Sequence, residues 1–114
     1  MRSQSTQVLL VDSNAEDEQL IREELALVRG SFDITVTTTL EAALERVTEG
    51  GIDVIVLDLV LPDCQGITSF LRLYPQAGDI PIIVLVGQAD EDLGIHSIEK
   101  GAVDYLIKPI DMDE

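Results

Sequence analysis

Val54-Ile55-Val56-Leu57-Asp58-Leu59-Val60-Leu61-Pro62-Asp63 is the stretch on which the fold turns. Its first four residues are β-branched or leucine with no polar alternation, as in a strand buried on both faces, and an acid follows at once. Two other runs have the same character: Val8 to Val11, closed by Asp12, and Ile82 to Val86, closed by Gly87. Asp33 to Thr38, with period-two alternation, and Asp104 to Ile107, closed by Lys108, are more polar and suit the edges of a sheet.

Between these runs the period becomes helical. Leu40, Ala43, Leu44 and Val47 form one inward stripe, and Ile67, Phe70, Leu71 and Tyr74 another. The same spacing predicts a helix over Ala15 to Arg29 with Ile21, Leu25 and Val28 inward, and one over Asp90 to Lys100 with Ile95, Ile98 and Ala102 inward. Asn14 can cap the first, and Thr38 with Glu41 reads as a capping box for the second. Gly50-Gly51 and Gly101 fall where left-handed helix ends are wanted, and Pro62, Pro75, Pro81 and Pro109 are expected between elements. Strand starts near residues 8, 33, 54, 82 and 104 are spaced as consecutive β-α units. The expectation is an α/β domain whose five-stranded parallel sheet has helices on both faces, with ligands at the carboxyl ends of the strands.

With 114 residues, the chain has room for one domain. Seven Lys and Arg against 22 Asp and Glu give a net charge of −15. Such a balance disfavours direct contact with nucleic acid phosphates and attracts Mg²⁺ and basic partner surfaces. Cys64 is the one cysteine, which excludes an internal disulfide and a thiolate zinc cluster and fits a reducing, cytoplasmic setting. No apolar run approaches the roughly 18 residues of a membrane span, so no membrane partner is expected, and Met1 to Gln7 lacks the apolar core of a secretory signal.

Asp12, Asp58 and Lys108 each end a strand and should meet on one rim. Two carboxylates there repel one another, and burial adds to the cost unless a cation compensates; Mg²⁺ and the lysine ammonium are the natural candidates. The plainer alternative, that the acids only stop strands and begin turns, is the favoured reading for Asp12 taken alone and is weaker for Asp58, which apolar residues flank on both sides.

Val8-Leu9-Leu10-Val11-Asp12, Val56 through Gly66, and Gly101-Ala102-Val103-Asp104-Tyr105-Leu106-Ile107-Lys108-Pro109 together resemble the response-regulator receiver domain of bacterial two-component signalling. The resemblance runs nearly end to end and implies a flavodoxin-like sheet in the order 2-1-3-4-5. It implies that Asp58 accepts a phosphoryl group from a histidine kinase or phosphotransfer protein. It also implies weakly or conditionally bound Mg²⁺ at Asp12, Asp58 and the Val60 carbonyl, with Lys108 stabilising the phosphoryl oxygens. The Lys108-Pro109 bond resembles one usually cis in the family. On this reading the chain is a phosphoacceptor signalling domain and not an enzyme.

The pattern breaks at two positions. Ser13 stands where the family carries a second acid, and Val86 where it carries a Thr or Ser; the first weakens metal binding and the second removes a hydrogen-bond donor. Two functions therefore stay open, a receiver weakened at these positions and a pseudo-receiver that binds partners without phosphorylation. A flavodoxin-like cofactor binder is disfavoured by the acidic Asp12-to-Asp17 loop and by only two Phe, two Tyr and no Trp. Tyr105 resembles the family's switch aromatic; beside Val86 it reads as an edge tyrosine with a wet hydroxyl. His96 reads as an exposed helix residue, Cys64 as a partly exposed thiol, and Asp111 with Asp113 as solvated chain. Six residues follow Lys108, whereas the family closes with a fifth helix. The expectation is a receiver domain over residues 1–114, truncated before that helix, with an output domain C-terminal to it in a longer protein. Apolar surface beside Leu106 and Ile95 would then favour a homodimer.

Overall fold

The computed structural model of the protein describes residues 5–108. The first half runs β1 (Thr6–Val11), α1 (Ala15–Ala26), β2 (Phe32–Thr37), α2 (Leu40–Thr48) and β3 (Val54–Asp58). The second runs β4 (Val60–Leu61), β5 (Cys64–Gln65), α3 (Ile67–Ala77), β6 (Ile82–Val86), a 3₁₀ turn at Gln88–Asp90, α4 (Glu91–Lys100) and β7 (Asp104–Ile107). Five parallel strands lie in the order β2-β1-β3-β6-β7, which is the expected 2-1-3-4-5 order once the small antiparallel β4-β5 hairpin is set aside.

Alternation within each strand divides the core. Leu9, Val11, Leu57 and Val84 pack with α2 residues Leu40, Ala43 and Val47 and α3 residues Phe70, Leu73 and Ala77 on one face. Val8, Leu10, Val56 and Leu85 meet Ile21 of α1 on the other. Beside α1 that second face opens into an apolar groove of about 430 Å³ lined by residues including Val8, Leu25, Phe32, Val56, Ile83 and Leu106. Leu106 is 39% exposed and Ile95 46%.

Register sets the rim. Val11 pairs with Leu57, so Asp12 stands level with Asp58; Asp58 pairs with Leu85 and Leu85 with Leu106, so Lys108 leaves the same rim two residues further on and reaches back to Asp58.

Several helix details differ from the sequence reading. The first helix ends at Ala26, leaving Val28 exposed beyond it. In α3 the buried residues are Ser69, Phe70, Leu73 and Ala77, while Leu71 and Tyr74 face outward; Ser69 can turn inward because its Oγ donates to the Cys64 carbonyl at 2.9 Å. Pro75 lies inside α3, not after it; in the last turn its missing N–H costs a single helical bond. In α4 the inward residues are Gly94 and Ser97 in place of Ile95 and Ile98. A Cβ at Gly94 would come within 2.5 Å of the Tyr105 ring, so a small residue is what lets α4 lie against β7. His96 is half-buried rather than exposed. Gly101 closes α4 at φ 130°, the expected positive-φ end.

The cap of α2 is also rearranged. Thr39, not Thr38, is the N-cap, its side chain accepting from the Ala42 amide at 3.1 Å. The Leu40 and Glu41 amides are instead bound by the Asp63 carboxylate at 2.9 and 3.0 Å, an acceptor more than twenty residues distant in sequence. These two bonds hold the Asp63 carboxyl below its usual value of 3.8. The stabilisation is therefore present above the ordinary carboxylate range and lost as pH falls through the lowered value. Asp63→Ala is expected to lower the melting temperature by a few degrees at pH 7 and by progressively less in acid, read by thermal denaturation at several pH values. An equal loss at all pH values would show that the carboxylate's charge is irrelevant.

Candidate functional site

Asp58 is the last residue of β3 and only 2% exposed. Its Oδ1 accepts from the Val60 amide at 3.0 Å and its Oδ2 from the Lys108 ammonium at 3.0 Å. Lys108 is fixed where β7 ends by a bond from its own amide to the Val86 carbonyl, 2.7 Å long.

Asp12, also 2% exposed, is anchored by its amide to the Thr37 carbonyl at 3.0 Å. Its Oδ1 accepts from the Asn14 amide at 2.9 Å, whereas its Oδ2 is buried with no hydrogen-bond partner. Asn14 caps α1 as expected, its side chain accepting from the Glu16 amide.

A third carboxylate joins them that the sequence reading did not single out. Asp17, in the first turn of α1, is buried and accepts from Lys108 Nζ at 3.0 Å, so one ammonium bridges Asp17 and Asp58. One carboxylate oxygen from each of Asp12, Asp17 and Asp58 lies within 4.8 Å of the others. The missed signal was periodic: Asp17 stands four residues before Ile21 and eight before Leu25, on the inward stripe of α1.

Burial pushes the Asp12 carboxyl up to about 8, with the Asp17 side chain and the charge of Asp58 adding to the rise against the Asn14 amide. Burial works to lower Lys108, but its bonds to the Asp58 and Asp17 carboxylates outweigh that and hold it above 10.5. The rim is thus an acidic pocket with one resident cation, all of its other donors oxygen, which suits a hard divalent ion. The orphaned Asp12 Oδ2 is a ready ligand for such an ion.

Ser13 is exposed and outside this cluster. Val86, the last residue of β6, is buried in the core shared with Val84 and Leu57 and carries no hydroxyl. Tyr105 is half-buried, and its hydroxyl is not simply wet: it donates to Glu91 Oε2 at 2.6 Å, because α4 begins directly over β7. That bond raises the Tyr105 hydroxyl above its usual value of 10. Val60 is half exposed in the β4-β5 hairpin, and Cys64 is half-buried in the same hairpin. Pro109, Asp111 and Asp113 lie outside the described residues.

A family model described as the response regulator receiver domain matches residues 8–114. The chain belongs to this family. Among curated relatives of the receiver domain, it is 39% identical over 111 residues to the KDP operon transcriptional regulatory protein KdpE of Escherichia coli, covering 96% of this chain and 47% of that protein. It is 33% identical over 102 residues to the DNA-binding transcriptional regulator NtrC of Rhizobium meliloti, covering 88% of this chain and 21% of that one. The chain therefore spans from about a fifth to about half the length of these relatives. Among solved structures, the phosphorylated cyanobacterial phytochrome response regulator RcpA superposes with a TM-score of 0.79 at 26% identity, over 95% of this chain and 84% of that one. The Francisella response regulator 1452 receiver domain gives 0.77 at 28% identity, over 94% and 87%. This receiver domain is a two-component signalling module, and no helix among its described residues is long and apolar enough to cross a membrane.

Proposed function

We propose that the domain accepts a phosphoryl group on Asp58 from a histidine kinase or phosphotransfer protein in the cytoplasm and passes its state to an output domain C-terminal to it. The observation that carries this reading is the buried Asp58 carboxylate held 3.0 Å from Lys108 Nζ, with Asp12 beside it. In the transfer, the phosphorus–nitrogen bond of the donor phosphohistidine breaks as an Asp58 oxygen bonds to phosphorus, leaving an acyl phosphate and a histidine. Lys108 offers its ammonium to the phosphoryl oxygens as charge passes to them. Asp12, Asp58 and the Val60 carbonyl are the residues that would hold Mg²⁺, which when bound neutralises charge on the transferring group. The relatives' greater length supports placing the chain as the receiving part of a longer regulator.

Val86 supports a second reading. A buried valine at the rim gives a phosphoryl oxygen no donor, and Tyr105 is already bonded to Glu91, so the link from phosphorylation to the α4 face is weakened. On that reading the domain binds a partner without phosphoryl chemistry.

Intact-mass measurement after incubation with a small phosphodonor separates the two. The expected result is one phosphoryl group per chain, dependent on Mg²⁺ and absent in Asp58→Asn. No adduct under conditions that modify an ordinary receiver would overturn the phosphoacceptor reading in favour of the interaction module.

A further inference from the structure

Resting on the receiver reading above, we infer that Asp17 supplies the metal ligand that Ser13 cannot, so that the cation pocket is completed from α1 rather than from the strand-end loop. Ser13 is exposed and offers only a neutral hydroxyl. Asp17 is 6% exposed and places a carboxylate oxygen within 4.8 Å of ligand oxygens of both Asp12 and Asp58.

The local structure explains why Asp17 can turn inward. An acid in the first turn of a helix commonly reaches back to the N-cap amide. Here the Asn14 amide already donates to Asp12 Oδ1, at 2.9 Å, so Asp17 has no backbone partner to return to and reaches Lys108 instead. The same bond leaves Asp12 Oδ2 as the oxygen available to the cluster, buried and without a partner. Lys108 donates to Asp17 and Asp58 and makes no hydrogen bond to Asp12. Three carboxylates against one ammonium leave two negative charges when all are ionised, the charge a single divalent cation answers. Its donor set is entirely oxygen, as Mg²⁺ prefers.

Titration of the chain with MgCl₂ by calorimetry tests this on five proteins: the unaltered chain, Asp17→Asn, Ser13→Ala, Ser13→Asp and Asp17→Asn combined with Ser13→Asp. Asp17→Asn is expected to weaken Mg²⁺ binding roughly tenfold or more, since removing even a group behind a metal ligand costs about 10–100-fold. Ser13→Ala should bind as the unaltered chain does, and the double variant should recover the lost affinity. Thermal melts of the same proteins report folding independently. If Asp17→Asn melts lower yet binds Mg²⁺ unchanged, Asp17 is only a partner of Lys108 and the inference falls while the receiver reading stands. Loss of binding in Ser13→Ala, a change at an exposed position that leaves the core intact, would likewise overturn it. Should neither the unaltered chain nor a Ser13→Asp chain bind Mg²⁺, the metal-dependent reading itself fails.

Discussion

Replacing Lys108 by methionine is expected to destabilise the folded chain markedly. Methionine keeps the length of the side chain and its apolar stem, so the loss isolates the ammonium. Among the described residues, Lys108 is the cation that hydrogen-bonds into the Asp12-Asp17-Asp58 cluster, and its removal leaves three buried carboxylates facing one another. Breaking a buried ion pair by removing one partner costs about 3–5 kcal/mol. Lys108 keeps about a fifth of its side chain in water, so the cost here is about 2–3 kcal/mol, or a fall in melting temperature on the order of 10 °C. Because the folded lysine holds its proton above 10.5, this stabilisation is whole at neutral pH and is lost as pH rises through the raised value. Thermal melts at pH 7 check it, and a variant melting within a degree or two of the unaltered protein would refute the claim that the ammonium offsets the cluster.

Asp12→Asn should act in the opposite direction. In the folded chain Asp12 titrates at about 8 against 3.8 ordinarily, so between these values the unfolded chain releases a proton that the folded chain retains. The contribution to stability is therefore full below about pH 4 and is progressively lost as pH rises through 8. Asparagine keeps an acceptor for the Asn14 amide and carries no charge, so it escapes this loss. Burial disfavours the ionised form of Asp12, and asparagine has no such form to penalise. The variant is expected to melt above the unaltered protein at pH 8, with the difference closing toward pH 4. Urea or thermal denaturation across that range decides it, and an Asn variant less stable at every pH would show that Asp12 is not strained by its burial. The gain would come with weaker metal binding, the usual exchange of stability for function at a charged site.

The sheet was legible because parallel strands covered on both faces are written as unbroken apolar runs, and Asp12, Asp58 and Lys108 were legible because each ends one of them. Helix phase was harder to read. In α3 and α4 the inward positions include Ser69, Gly94 and Ser97, residues that hydropathy does not mark; Gly94 is inward because the Tyr105 ring occupies the space, and Ser69 because a carbonyl receives its hydroxyl. Asp17 escaped notice for a related reason. Read as part of an acidic loop it is one charge among many, and only the packing of α1 against the sheet brings it to Lys108. Asp63 was given no role for the same reason: a carboxylate that caps a helix more than twenty residues away has no local signature.

That last contact ties two parts of the molecule into one mechanical unit. Asp63 lies in the turn between β4 and β5, five residues past Asp58, and holds the first amides of α2. A shift of the turn either drags the head of α2 along or frees its first two amides, with Thr39 still in place as the cap. The surface around Leu40 and Glu41 is therefore leashed to the loop that follows Asp58. A disturbance of that loop reaches the α2 face through two hydrogen bonds, by a route that involves neither Val86 nor Tyr105.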